Sequence, residues 1–267
     1  MAFDSIAHGF DKRFGPWRSV AAQRRAVRSA LIEAFPPGAH LLEVGGGTGE
    51  DARWMVEQGR NVLLTDASPT MIEVARAKLV HGASVPPLVL PAEDMEAFAM
   101  QRAAADEPLF DGAYSNFAAL NCVTDLTPFA RGLAHLVRPG AAVMLVLFGT
   151  ACPGEMVTET LLGRPRNVLR RFARGDVPAR LSRRSFTVRY HRRKDLVAVM
   201  APWFELRARK GIGVFVPPSA AEPWISRHLR FLAGLEALDG MFARPLAALG
   251  DHILYRFERT TAEAPRS

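Results

Sequence analysis

The residues of this sequence best placed to do chemistry are a run of glycines and two carboxylates that flank it. Leu41-Leu42-Glu43-Val44 leads into Gly45-Gly46-Gly47-Thr48-Gly49. An apolar strand that ends in such a turn and opens a helix brings backbone N–H groups close to a ligand. A β-carbon there would hold the ligand's atoms off the backbone. Asn61 to Thr65 reads as a second buried strand with Asp66 at its tip, 21 residues after Gly45. That spacing suits a carboxylate accepting hydrogen bonds from a ribose diol. The pattern is that of a nucleotide cofactor site. The dinucleotide fingerprint asks for a glycine where this chain has Glu50. That glycine permits close helix–strand packing and phosphate approach, so its absence counts against NAD.

Glu43-x-Gly45-x-Gly47-x-Gly49 resembles motif I of the class I methyltransferases, which bind S-adenosylmethionine (SAM). Asp66-Ala67-Ser68-Pro69-x-Met71 resembles their second motif. Ala92-Glu93-Asp94 resembles their adenine-side motif, and Val137-Arg138-Pro139-Gly140 their turn before strand five. The four motifs stand in the expected order within residues 3–148, and the remainder departs by insertion. The resemblance implies an α/β fold: a Rossmann-like, doubly wound, seven-stranded sheet with an antiparallel C-terminal edge and a cap insertion. It implies SAM as cofactor and S-adenosylhomocysteine as product. Glu43 would sit near the methionine amino group, and Gly45, Gly46, Gly47 and Thr48 against the ligand. Asp66 and Ala67 would hold the ribose, and Met71, Ala92 and Glu93 would border the adenine.

Elements that position these residues are legible in the periodicity. Phe3, Ile6, Ala7, Phe10 and Phe14 form a helical stripe that Gly15-Pro16 breaks, and Ser19 to Phe35 reads as a second helix. In related enzymes such an N-terminal segment covers the cofactor. Residues 1–37 are thus expected to be a lid, with Trp17 toward the substrate. Residues 38–149 form the cofactor-binding core. Within it, Ser68 caps a helix that has Pro69 at its first position. Val85 to Leu90 reads as strand three, Glu93 to Ala105 as a helix, Phe110 to Phe117 as strand four and Thr124 to Val137 as a helix. The apolar run Ala141 to Phe148 reads as strand five. Ligands of open α/β sheets lie beyond the carboxyl ends of the strands. Asn116 and Phe117 should therefore border the cofactor, and Asn121 the substrate.

Strand–helix alternation stops at Phe148. Residues 150–194 are expected to form an arginine-rich cap, with a short strand at Arg184 to Tyr190. Residues 195–260 complete the core: a helix at Lys194 to Ala201, a strand at Phe204 to Val216 with Gly211 and Gly213 as bulge positions, helical structure over Ala220 to Leu249, and a last strand at His252 to Glu258. Residues 261–267 read as a flexible tail.

The net charge is +7, yet Arg164 to Lys194 alone carries +11 and the rest −4. Arginine suits carboxylate or phosphate, so a small-molecule acceptor of anionic character is one expectation, with Arg189 toward it. A methyltransferase of RNA or another polyanion is a second reading, opposed by the absence of an Asn/Asp-Pro-Pro-aromatic motif after Asn116. A non-catalytic SAM-binding protein is a third. SAM already activates its methyl group, so the protein must mainly align the nucleophile for SN2 transfer. An O or N nucleophile that needs deprotonation would turn to His191, Tyr190, Glu155 or Asp125. Cys122 and Cys152 are the two cysteines, too few for a disulfide framework, and a cytoplasmic setting is expected. No metal-ligand spacing, signal-peptide order or membrane-length apolar run is present, and a homodimer is allowed.

Overall fold

The computed structural model describes residues 4–79, 85–181 and 184–261. A short 3-10 turn at Asp4–Ile6 runs into helix α1 (Ala7–Phe14), and α2 (Arg18–Ala34) follows. Then come β1 (His40–Val44), α3 (Glu50–Glu57), β2 (Asn61–Asp66), α4 (Pro69–Leu79) and β3 (Leu88–Val89). The chain continues through α5 (Met95–Ala104), β4 (Phe110–Ser115), α6 (Thr127–Leu136) and β5 (Val137–Phe148). A cap holds α7 (Pro153–Leu161), α8 (Pro165–Val168) and a hairpin of β6 (Asp176–Leu181) with β7 (Arg184–Arg189). The core closes with α9 (Arg193–Met200), β8 (Phe204–Ile212), α10 (Leu229–Phe242) and β9 (His252–Arg259).

The main sheet has seven strands in the order β3-β2-β1-β4-β5-β9-β8. β1 to β5 are parallel, and β9 runs antiparallel between β5 and β8. The order reverses between β2–β1 and β4, which opens a crevice at the carboxyl ends of β1 and β4. Alternation along the strands feeds two cores. Leu42 and Val44 pack on the α5–α6 side, and Leu41 on the α2–α3 side with Val27, Leu31 and Tyr114. Among the described residues, no helix is long and apolar enough to cross a membrane.

The structure corrects several expectations. Strand three is only two residues long, because Pro86 and Pro87 offer no N–H to the ladder. Strand five begins at Val137, so the Arg138-Pro139-Gly140 turn lies within it, as a shift in register against β4. The bulge of β8 falls at Arg207, between Leu206 and Ala208, and Gly211 pairs regularly with Ile253. The cap holds two helices and a further strand that periodicity did not reveal, since those segments are short and dense in arginine. Of the expected tail, residues 262–267 lie outside the described residues.

Candidate active site

The glycine loop is shaped for a guest. Gly45 has a φ of +70°, and a β-carbon on it would come within 2.3 Å of the Ala119 methyl group. Gly46 is walled by Leu64 and the Glu43 carboxylate, whereas Gly47, at a φ of +55°, faces open space. Glu43 is buried, and its Oε2 has no hydrogen-bond partner. Burial first, then the charge of Asp51, pushes its carboxyl well above the usual carboxylate range. The cross-strand neighbour Tyr114 is likewise buried with an unpartnered hydroxyl, and burial and the Glu43 charge push its pKa up. A buried acceptor without a donor is costly in a finished protein. It fits an ammonium-bearing ligand, and the open space at Gly47 fits the same ligand.

Asp66 closes the loop from the next strand. Its Oδ2 accepts from the Gly47 N–H at 2.9 Å and its Oδ1 from the Ser68 N–H at 2.8 Å. Each oxygen keeps a second lone pair, the capacity needed for a diol. Burial raises this carboxyl, against the lowering effect of the two backbone donors. Ser68 caps α4 as its sequence suggests, its hydroxyl accepting from the Met71 N–H. Ala67 is half-buried and Met71 buried within α4, while Ala92 is buried and Glu93 exposed in the 3-10 turn after β3.

The N-terminal segment lies across these strand ends. Thr48 Oγ1 donates to Asp11, Lys78 bonds the same carboxylate, and the Ser68 hydroxyl donates to Asp4. A cleft of about 340 Å³ opens beside the loop, lined by Phe10, Phe14, Arg24, Arg28 and Glu50. Trp17 is half-buried at the start of α2, its ring edge-on to Phe14 at 5.0 Å.

At the tip of β4 the backbone turns through positive φ at Phe117 and Ala118. Asn116 donates to Asp51 at 2.8 Å, and Arg28 bonds the same carboxylate. Arg24 stacks over the Phe117 ring, with its Nε in an ion pair with Asp51 at 3.6 Å. Arg24 and Arg28 both lie on α2. The structure turns both toward the site, because α2 lies flat over the α3 side of the sheet.

The cap residues fare differently from expectation. His191 uses Nε2 to hold the carbonyls of Leu120 and Val123, and burial lowers its pKa. Asn121 donates to the Arg189 carbonyl and accepts from the Phe148 N–H. Arg189 is spent on Asp176 and the Thr124 carbonyl. These three seam the hairpin to the ends of β4 and β5. His191 Nε2 and the Arg189 guanidinium are thus engaged within the protein. Asp125 accepts from the Thr127 N–H at the start of α6. Glu155 is also withdrawn as a base: it is buried, with its oxygens engaged by Arg170 and Arg171. Arg171 bridges Glu155 to Asp251 and bonds the carbonyls of Gly149 and Asp251. Cys152, Glu155 and Asp251 lie within 4.8 Å of one another, but Arg171 already neutralises both carboxylates. Tyr190 is buried, 6.0 Å from Phe148, and burial raises its pKa.

Sequence reasoning missed His252. It stands at the start of β9, paired with Phe148 at the carboxyl end of β5. Its ring stacks on Phe148 at 4.8 Å and meets Phe117 edge-on at 5.7 Å. Its buried Nδ1 lies 3.4 Å from Asp251 Oδ2 with no hydrogen bond formed. Burial would raise the Asp251 carboxyl, but His252 and Arg171 together hold it well below the usual range. An Asp-His pair at the head of a late strand was the available signal.

A doubly wound sheet with its glycine loop, orphaned acid and strand-tip carboxylate at the topological switch is the fold and site of a SAM-dependent methyltransferase. The family model of the methyltransferase domain matches residues 17–194, and the chain belongs to that family. It is 28% identical over 155 residues to a malonyl-[acyl-carrier protein] O-methyltransferase of Serratia marcescens, covering 57% of this chain and 54% of that protein. It is 33% identical over 147 residues to a ubiquinone biosynthesis O-methyltransferase of Xanthomonas axonopodis pv. citri, with 54% and 57% covered. The matched part thus spans about half the length of these relatives. A SAM-dependent methyltransferase structure from Methanosarcina mazei shares the fold at a TM-score of 0.56 and 15% identity, covering 87% of this chain and 98% of that one.

Proposed function

We propose that this enzyme methylates an oxygen or nitrogen of a small-molecule acceptor, with His252 taking the acceptor's proton. SAM supplies an electrophilic methyl group whose departure leaves a neutral thioether. The chain's own residues do the rest. Glu43, Gly47 and Asp66 hold the donor, with Ala67, Met71, Ala92, Glu93 and Asn116 around it and α1 as its lid. Phe117, Phe148 and Tyr190 offer an aromatic wall that excludes water from the acceptor. Asp251, kept ionised by His252 and Arg171, stands 3.4 Å from His252 Nδ1 and orients the ring. The observation that carries this reading is the buried, unpartnered Nδ1 of His252 beside that carboxylate, against the ring of Phe117. The names of the relatives favour an oxygen acceptor.

The test is His252→Gln, with an acceptor found by following labelled SAM into metabolite extracts. kcat should fall roughly 10²- to 10⁴-fold with SAM affinity unchanged. Unchanged turnover would leave alignment alone as the mechanism.

A further inference from the structure

The helix α10 does not look like part of a water-soluble surface. Of its 14 residues only Leu232 is fully buried. Phe231 is 54% exposed and Met241 64%, and Leu229 and Phe242 stand open beside them. Trp224, in the turn just before α10, is also exposed and packs edge-on to Phe231. At 100° per residue, Arg230, Gly234, Ala237 and Met241 lie opposite Leu232 and Asp239, with Phe231 and Phe242 on one flank and Leu229 on the other. An exposed apolar patch of this kind marks an interaction surface.

Charge identifies the occupant. Arg227, Arg230 and Arg244 are exposed, and among the described residues none has an ion-pair partner. The acids of residues 222–249 each have a partner. Glu222 accepts from Ser19, Glu236 is held by Arg25, and Asp239 accepts from the Phe215 N–H. The exposed face is therefore aromatic, aliphatic and cationic, and Glu236, a partly exposed carboxylate of α10, is paired with Arg25. That composition belongs to a helix lying in the interface of an anionic bilayer, its apolar side chains in the acyl boundary and its arginines at the headgroups.

We propose that the segment from Trp224 to Arg244 is a peripheral docking surface for anionic lipid membranes. The helix follows β8 and precedes β9, whose first residue is His252. Docking would hold the acceptor side of the enzyme near the bilayer, suited to an acceptor that partitions into lipid.

The test is flotation of the full-length protein with vesicles of phosphatidylcholine alone and of phosphatidylcholine with about one-third phosphatidylglycerol. Binding should require the anionic lipid and weaken in high salt. The triple variant R227Q/R230Q/R244Q should bind on the order of 100-fold more weakly, about fivefold per arginine. The variant F231S/M241S should lose binding while keeping its melting temperature and SAM affinity, since neither side chain is buried. Absence of flotation with either vesicle would overturn the proposal. So would binding indifferent to both variants. A concentration-dependent dimer abolished by F231S/M241S, without lipid binding, would assign the face to a second copy of the chain. Capture by an acidic carrier protein in place of vesicles would assign it to a protein partner.

Discussion

Arg171→Met is the substitution whose consequence the structure defines most fully. Arg171 is the inward arginine of the cap. It does not face an anionic acceptor; it neutralises Glu155 and Asp251, each buried, and satisfies two backbone carbonyls. Its guanidinium also lies over the rings of Phe148 and Tyr190. Methionine would fill much of the volume and leave two carboxylates without a counter-charge. Removing one member of a buried ion pair costs about 3–5 kcal/mol. For a chain of this size that is a fall of roughly 6–20 °C in Tm, at about 2–4 °C per kcal/mol. Arg170→Met is the control: it shares Glu155 but is half-exposed, so its loss should cost below about 1 kcal/mol. The pH dependence follows from Asp251, whose folded carboxyl is depressed. Its contribution is complete above the unfolded value near 3.9 and is lost as pH falls through the folded value. The gap between wild type and Arg171→Met should thus be full at neutral pH and narrow below about pH 4. Scanning calorimetry from neutral to acidic pH measures both. A Tm within about 2 °C of wild type at neutral pH would refute the bridge between cap and core.

Four further outcomes are expected around the cofactor. Glu43 has a raised folded pKa, so burying it costs stability once pH exceeds its unfolded value; Glu43→Gln should melt higher than wild type at neutral pH yet bind SAM more weakly, by paired calorimetry. Gly46→Ala forces a methyl group against Leu64 and Glu43 and should cost about 1–3 kcal/mol in urea denaturation. Gly47→Ala meets no protein atom, so it should cost about 1–2 kcal/mol for its left-handed backbone while losing most SAM affinity. Asp66→Ala should weaken SAM by about 5- to 150-fold through two lost ribose hydrogen bonds, and an equal constant by titration calorimetry would take Asp66 off the ribose.

The cofactor half of this protein was legible in its sequence because every requirement there is local. A strand, a glycine turn and a helix are contiguous, so Gly45 to Gly49 declare the loop, Ser68-Pro69 the start of α4, and Asp66 the end of β2. Parallel strands buried on both faces read as plain apolar runs, which is why β1, β2 and β5 were foreseeable, while the seven-stranded sheet was what the family resemblance implied. The acceptor half is assembled from distant segments. Glu155, Arg171 and Asp251 converge only because α7 folds back over the end of β5, where β9 enters beside it. Side chains named as free bases there became partners in a buried charge network or seams between backbone segments. The Asp251-His252 pair was the one local sign of His252, and what distinguishes it is Phe148 across the strand pair and Phe117 beyond β4. Residue type and spacing set what the backbone does at a loop. Which charges neutralise one another, and which nitrogen is left without a partner, is decided by tertiary packing, because Coulombic and hydrogen-bonding partners are chosen by distance in space and not along the chain.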